Sequence, residues 1–362
     1  MNLQKTVILG MSGGVDSSVA ALLLQKQGYK VIGVFMKNFS DTKNKFTGEC
    51  WWQDELRTAR TIANMLNIEL HVLDYESEYK NKVIKPMISD YAANKTPNPD
   101  IECNNETKFP ALLKAKKQFS ADFISTGHYA NVKKIGKKFY LQQGKDKTKD
   151  QSYFLYKLTE KELSIAIFPL GKLTKEKVRK IAEEKRFPNW DKHGSAGVCF
   201  IGNVPLQSYL KRHIKKKQGK VIDEKGNLLG THEGSSFYTI GQKAAENIGI
   251  KINKPKENSQ LRYYVAKKLP KNVIQVAPEN NDLLKIREIK IPKLYSPSKD
   301  KIKQGKYGAR YRHLGPIIQG TLKKKNNLWT FTFSKPQEAI AQGQSIVLYR
   351  QKTLIAGGEI KL

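Results

Sequence analysis

The sequence is poor in cysteine: its 362 residues hold three, Cys50, Cys103 and Cys199, and no Cys-x-x-Cys pair. That excludes a thiolate zinc site and a secreted disulfide scaffold, which would carry more half-cystines. Any chemistry on these thiols is then catalytic, in a reducing compartment, and a cytoplasmic protein is expected. Long apolar runs are also missing, and nothing approaches the about 18 residues that span a bilayer. Met1–Thr6 lead into the apolar Val7-Ile8-Leu9 with neither a hydrophobic signal nor an Arg/Ser-rich leader, so neither targeting nor membrane association is expected. Acids are scarce. Against 65 Lys+Arg stand 33 Asp+Glu, a formal net charge of +32. A surplus of that size repels itself unless it meets a polyanion, which suits nucleic acid or an acidic membrane surface; a lysine-rich solvated surface gives the same count. What is present is globular: 39% hydrophobic against 27% charged residues, in a chain long enough for two or three domains.

The first half alternates strand and helix signals. Thr6–Leu9 reads as a buried strand, a Gly/Ser turn follows, and a helix runs from about Ser17 to Gln27, stopped by Gly28. Lys30–Phe35, Glu69–Leu73 and Asp122–Thr126 read as further strands. Trp52–Leu66, Glu78–Ala93 and Phe109–Phe119 read as helices, and Thr96–Asp100, with two prolines, as a rigid turn. This is an α/β pattern, a parallel sheet covered on both faces, whose ligands sit beyond the carboxyl ends of the strands. After about residue 205 the pattern changes. Lys211–Lys217 is a basic run, Gly219–Gly234 reads as a hairpin around Lys225-Gly226, and from Asn272 short alternating segments such as Leu328–Phe333 and Ser345–Arg350 suit a small barrel. The expected division is a catalytic domain over 1–208, a small linker domain over 209–275 and a C-terminal β-barrel-like domain over 276–362.

Gly10-Met11-Ser12-Gly13-Gly14-Val15-Asp16-Ser17 follows the first strand and opens a helix. Small residues let backbone N–H groups approach phosphate oxygens, and the helix N-terminus adds partial positive charge. The loop lacks the lysine of a Walker A sequence and the third glycine of a dinucleotide fingerprint, which disfavours kinase and dehydrogenase readings. It resembles the pyrophosphate loop of the N-type ATP pyrophosphatases, implying a Rossmann-like domain of the adenine nucleotide hydrolase type, ATP as cofactor, and Mg²⁺ with ligands unassigned.

Two further segments, Thr96-Pro97-Asn98-Pro99-Asp100-Ile101-Glu102-Cys103-Asn104 and Gly197-Val198-Cys199-Phe200-Ile201-Gly202, resemble the cysteine motifs of bacterial tRNA-specific 2-thiouridylases. Thr126–Ala130, Lys149–Leu155, Tyr238–Gln242 and Arg310-Tyr311-Arg312 match in family order. The chemistry explains the residue types. A uridine 2-carbonyl between two nitrogens is a poor electrophile, and adenylation turns its oxygen into a leaving group. A persulfide then delivers sulfur, and a second thiol frees it by forming a disulfide, so two cysteines are the minimum. The resemblance implies that Cys199 carries the persulfide, that Cys103 is the nucleophile closing the transient disulfide, and that Asp100 is an acid or base at the flipped uridine held by Asn98 and Pro99. It implies ATP contacts from Gly10 to Ser17, Met36 and Gly127, and tRNA contacts from His128, Lys149, Asp150, Gln151, Arg310, Tyr311 and Gln344. The partners implied are tRNA and a persulfide sulfur-donor protein. Lys211–Lys217 and Lys323–Lys325 are candidate phosphate contacts, although charge runs are commonly just solvated faces. Cys50 reads as non-catalytic.

The sequence departs from the family pattern at Gly194, where an aspartate is usual, and over Lys243-Ala244-Ala245-Glu246. Other readings are a divergent paralogue thiolating other tRNAs, a small-molecule adenylating ligase, which would need neither cysteine nor the basic tail, and a non-catalytic RNA-binding protein.

Overall fold

The computed structural model describes residues 4–41, 48, 50–192, 205–253 and 260–362. Cys199 and Gly194 lie outside the described residues. Strand β1 (Thr6–Gly10) leads through the Gly/Ser loop into helix α1 (Val15–Lys26), followed by β2 (Lys30–Lys37), α2 (Trp51–Met65) and β3 (Glu69–Asp74). Later come β4 (Phe123–Ser125), the hairpin β5 (Ala130–Ile135) and β6 (Lys138–Gln143), and the short β7 (Ala166–Ile167). Val7, Ile8 and Leu9 are fully buried, which is why β1 shows a continuous apolar run without alternation. Each such side chain contributes about 1.5–3 kcal/mol of hydrophobic stabilisation. The sheet order is β3-β2-β1-β4-β7, all parallel. The chain winds outward from β1 to β3 and then returns to the other side of β1 as β4, so the loops after β1 and β4 meet at the topological switch point, where such sheets bind ligands. Helix α1 is buried along most of its length, with Ala20 and Ala21 letting it lie close, and Gly28 at φ +85° ends it as expected.

Thr96–Asp100 is not the plain turn expected. Asn98 caps a helix that begins at Pro99–Glu102, widens over Cys103–Lys108 and continues as Phe109–Gln118. Proline suits the first helical position because its missing N–H would have had no partner there.

Residues 219–278 build a separate five-stranded sheet whose strands Gly219–Ile222 and Leu228–His232 form the expected hairpin, with Gly226 at φ +92° in its turn. The last part of the chain is β-rich throughout. Its strands Lys285–Ile291, Gly305–Arg310, Ile318–Lys325, Leu328–Glu338, Ser345–Arg350 and Thr353–Glu359 form a barrel-like sheet of eight with β6 and β5. Gln142 of β6 pairs with Thr353, so a hairpin from the first domain completes the sheet of the last. A single apolar core runs from Ile8 and Ile124 through Tyr153 and Tyr156 to Val347, Tyr349 and Leu354, which locks the barrel onto the parallel-sheet domain. Another joins Tyr79, Met87 and Cys103 to Tyr209, Val221 and Tyr238 of the middle unit. Among the described residues no helix is long and apolar enough to cross a membrane.

Candidate functional site

The loop after β1 folds on its own hydroxyls. Ser12 N–H donates to Ser17 Oγ at 3.2 Å, and Ser17 Oγ–H donates to the Gly14 carbonyl at 2.9 Å. Gly13 has φ +75°, and a Cβ there would stand 2.2 Å from the Glu55 carbonyl oxygen, so both conformation and space demand glycine. On its other side Asn189 donates to the Gly13 carbonyl at 2.8 Å. Gly14 caps α1 without any side-chain hydrogen bond, leaving the first N–H groups of a 12-residue helix to an incoming anion. Gly127, in the loop after β4, lies against Asp16 and Ser17: an added Cβ would come within 2.9 Å of both backbones. Met11 and Val15 point into the core, so only their backbone is available, while Ser12 is exposed. Met36, near the end of β2, is half-buried against the same sheet. An uncapped helix N-terminus beneath a loop of glycine and hydroxyls fits a polyphosphate.

One oxygen of Asp16 is already engaged. Tyr129 Oη–H and Lys175 Nζ both donate to its Oδ1 at 2.7 Å, and burial beside this carboxylate pushes the Tyr129 phenol far above its usual value. Among the described residues no group of three or more His, Cys, Asp or Glu side chains gathers to hold a metal ion. Mg²⁺ needs no such group: it is ordinarily held by one or two carboxylates together with phosphate oxygens and water, and would enter with the polyphosphate.

The second group of expected site residues lies in the segment from Thr96 to Cys103. Asn98 Oδ1 accepts the Ile101 N–H, and Asn104 Nδ2 donates to the Asp100 carbonyl at 2.9 Å. Asp100 is half-buried; Cys103 is a buried free thiol. Burial, and to a lesser extent Asp100, pushes the Cys103 thiol up from its ordinary value, with Lys108 and a hydrogen bond from Tyr79 opposing. The segment is clamped from the barrel. Gln344 Nε2 donates to the Thr96 and Pro97 carbonyls at 3.1 and 3.4 Å, and the Thr96 N–H donates to the Gln342 carbonyl at 2.8 Å. Thr96 also reaches Thr239 of the middle unit at 3.5 Å. All three units thus converge on the loop ahead of Cys103.

Several residues expected to face tRNA lie inside. Asp150 and Arg310 form a buried ion pair at 2.7 Å, and Asp150 also accepts the N–H groups of Gly144 and Ser152. Tyr311 is buried against Phe333. Gln344 is spent on the Thr96 loop, and Gln151 accepts the Tyr129 N–H at 3.0 Å. His128 is buried between Phe109 and Phe168, with Nδ1 2.8 Å from Thr126 Oγ1. Burial and Lys108 hold its pKa well below 6.5, so it is neutral. Lys149 is exposed, as is Arg312. In the basic run, Lys211 and Lys216 are both paired with Glu233, while Lys323–Lys325 stay exposed at the end of a barrel strand. Sequence reasoning did not single out Lys175, Asn189 or Tyr129. Tyr129 stood inside a recognised motif; no spacing signal marks the other two, because tertiary folding alone brings them to the loop.

The architecture defines a nucleotide-loop parallel-sheet domain followed by two β-rich domains. Family profiles agree: residues 5–203 match one described as tRNA methyl transferase HUP domain, 207–278 its PRC-barrel domain, and 285–360 an aminomethyltransferase beta-barrel domain. At full length, the chain is 38% identical over 359 residues to the tRNA-specific 2-thiouridylase MnmA of Nitrosomonas eutropha, covering 98% of each. It is 41% identical over 367 residues to that of Blochmanniella floridana, covering 98% of this chain and 96% of the relative. The chain belongs to the tRNA-specific 2-thiouridylase family. A solved 4-thiouridine synthetase–RNA complex with bound ATP is 16% identical, covers 58% of this chain and 50% of its own, and has a TM-score of 0.36, a likeness too partial to bear on function.

Proposed function

We propose that this chain is a cytosolic, ATP-dependent sulfurtransferase that replaces the 2-oxygen of the wobble uridine of tRNA with sulfur. ATP supplies the adenylyl group that makes that oxygen a leaving group. The uncapped start of α1, the loop from Gly10 to Ser17, and Gly127 hold the phosphates, with Met36 at the adenine. Asn98 and Pro99 seat the flipped base, and Asp100 moves its proton. Cys199 receives sulfur from a persulfide-donor protein and presents it, and Cys103 then closes a disulfide with Cys199, releasing the outer sulfur to carbon 2. The exposed Lys149 and Arg312 meet the RNA directly. Asp150, Gln151, Arg310, Tyr311, His128 and Gln344 shape the surface that does so.

The observation that carries this reading is the full-length likeness to 2-thiouridylases together with a free thiol at Cys103, directly after the clamped loop. The profile names mention methyl transfer, but the two cysteine motifs fit sulfur chemistry. The test is incubation with ATP, tRNA and a protein persulfide donor, followed by mass spectrometry of the nucleosides. Wild type should form 2-thiouridine and Cys199→Ser should not. Full activity in both Cys199→Ser and Cys103→Ser would end the mechanism.

Packing at Gly127 makes a second prediction. A Cβ at 2.9 Å from two backbone atoms must displace the start of α1, and misplacement on the order of 1 Å costs about a hundredfold in rate. Gly127→Ala should lower tRNA-dependent AMP release by roughly that factor, measured at saturating tRNA. Unchanged turnover would remove Gly127 from the nucleotide site.

A further inference from the structure

A cleft of about 690 Å³ opens beside the target-base segment. Pro99, Glu102 and Glu106 line it at helical spacing, whereas Asp100 and Cys103 do not. Its opposite wall comes from the barrel, around Tyr295 and Gly343. The lining holds five lysines and four carboxylates, and every carboxylate has a partner. Glu102 pairs with Lys157, Asp90 and Glu359 with Lys95, and Glu106 with Lys82 at 3.9 Å. Lys293 and Lys361 are the lining cations with no carboxylate in any ion pair among the described residues.

Tyr295 lines the same cleft, close to two of these lysines. Its backbone is pinned by paired hydrogen bonds with Gly357, at 2.8 and 2.9 Å. The residue is 37% exposed, with Lys293 Nζ over its ring at 4.7 Å from the centroid, Lys157 Nζ at 5.8 Å and the Tyr156 ring at 6.3 Å. An exposed tyrosine is ordinary on a protein surface. A ring on a pinned backbone, its face covered by a lysine ammonium with no carboxylate partner, suits a nucleobase that stacks in place of the ammonium and so leaves Lys293 to meet the phosphate. Asn98 and Pro99 belong both to the rim of this cleft and to the segment assigned to the target base, so a strand with its uridine turned toward Asp100 passes over that rim.

Building on the proposed tRNA activity, we propose that this cleft seats the nucleotide adjacent to the target uridine, its base stacked on Tyr295 and its phosphate between Lys293 and Lys361. The position is single-stranded when bound and is recognised by stacking, so the site tolerates different bases.

The test measures affinity of the full-length protein for a stem-loop RNA carrying the target uridine, and for versions with an abasic residue on either side of it. One abasic RNA should bind wild type roughly tenfold more weakly. Tyr295→Leu should bind the intact RNA weaker by the same factor and lose nothing more with that abasic RNA. Tyr295→Phe should behave as wild type, and unchanged ATP affinity shows that Tyr295→Leu is folded. The proposal is overturned if Tyr295→Leu binds every RNA like wild type, or if its loss adds to the abasic loss. It is equally overturned if Tyr295→Leu keeps RNA affinity but accepts sulfur slowly from the persulfide donor, since the cleft would then serve a protein. Tyr295-dependent RNA binding without any 2-thiouridine formation would support the cleft and refute the activity, so the two failures are distinguishable.

Discussion

Replacing Cys103 by serine is expected to cut 2-thiouridine formation on the order of a thousandfold or more, the scale on which a lost nucleophile is felt. AMP release that depends on tRNA should persist, because the nucleotide loop and Gly127 are untouched. The reaction should also be slow at neutral pH. Burial, chiefly, and then Asp100 raise the Cys103 thiol above its ordinary value of 9.0, so little thiolate is present in this conformation. Only the thiolate attacks, so the single-turnover rate should climb as pH rises toward and past 9.0. Lys108, which opposes the shift, should matter in the same sense: Lys108→Ala moves the profile to higher pH. The stability sign follows from linkage. A thiol whose folded pKa is raised holds its proton longer folded than unfolded, so its contribution is complete below the unfolded value and is lost as pH climbs through the folded one. A flat rate profile, or a serine variant keeping a tenth of the activity, would show that Cys103 is not the thiol that releases sulfur.

Much of the framework was legible because local signals and the fold agree. The first strands, α1, α2 and the helix over Phe109–Gln118 appear where apolar periodicity and caps put them, and the Gly/Ser loop lies at the switch point because it follows the central strand. Two prolines make Thr96–Asp100 look like a breaker, and Thr96–Asn98 do stay outside a helix, but Asn98 as cap and Pro99 at the first helical position start one within the segment. The hairpin over β5 and β6 carries no clear local signal. Its register with Thr353 depends on a partner more than 200 residues away, which no local pattern encodes. Charge was the least informative guide. Arg310 and Asp150 read like surface groups, but whether a charged side chain faces RNA or another charge is decided by tertiary packing.

That burial carries the second large expectation. Arg310→Met should destabilise the protein by about 3–5 kcal/mol, because it leaves Asp150 charged and enclosed without its partner. Asp150 is 1% and Arg310 6% exposed as side chains, so solvent screening cannot rescue the orphan. Its remaining donors, the Gly144 and Ser152 N–H groups, the Ser152 hydroxyl and Gln143 Nε2, are dipoles rather than charges. Arg310 also packs over the Tyr349 ring at 5.6 Å in the core shared by barrel and parallel-sheet domain, so the loss should loosen that junction. The double variant Arg310→Met with Asp150→Leu should recover much of the stability, since removing both charges removes the unpaired one. Urea denaturation of wild type and both variants measures this directly. A surface arginine gripping RNA predicts the reverse pattern, with near wild-type stability, weakened tRNA affinity and no rescue by the second substitution. Because Asp150 precedes Gln151, which accepts the Tyr129 N–H while Tyr129 donates to Asp16, single-variant damage should also reach the nucleotide loop and appear as weaker ATP binding that the double variant repairs.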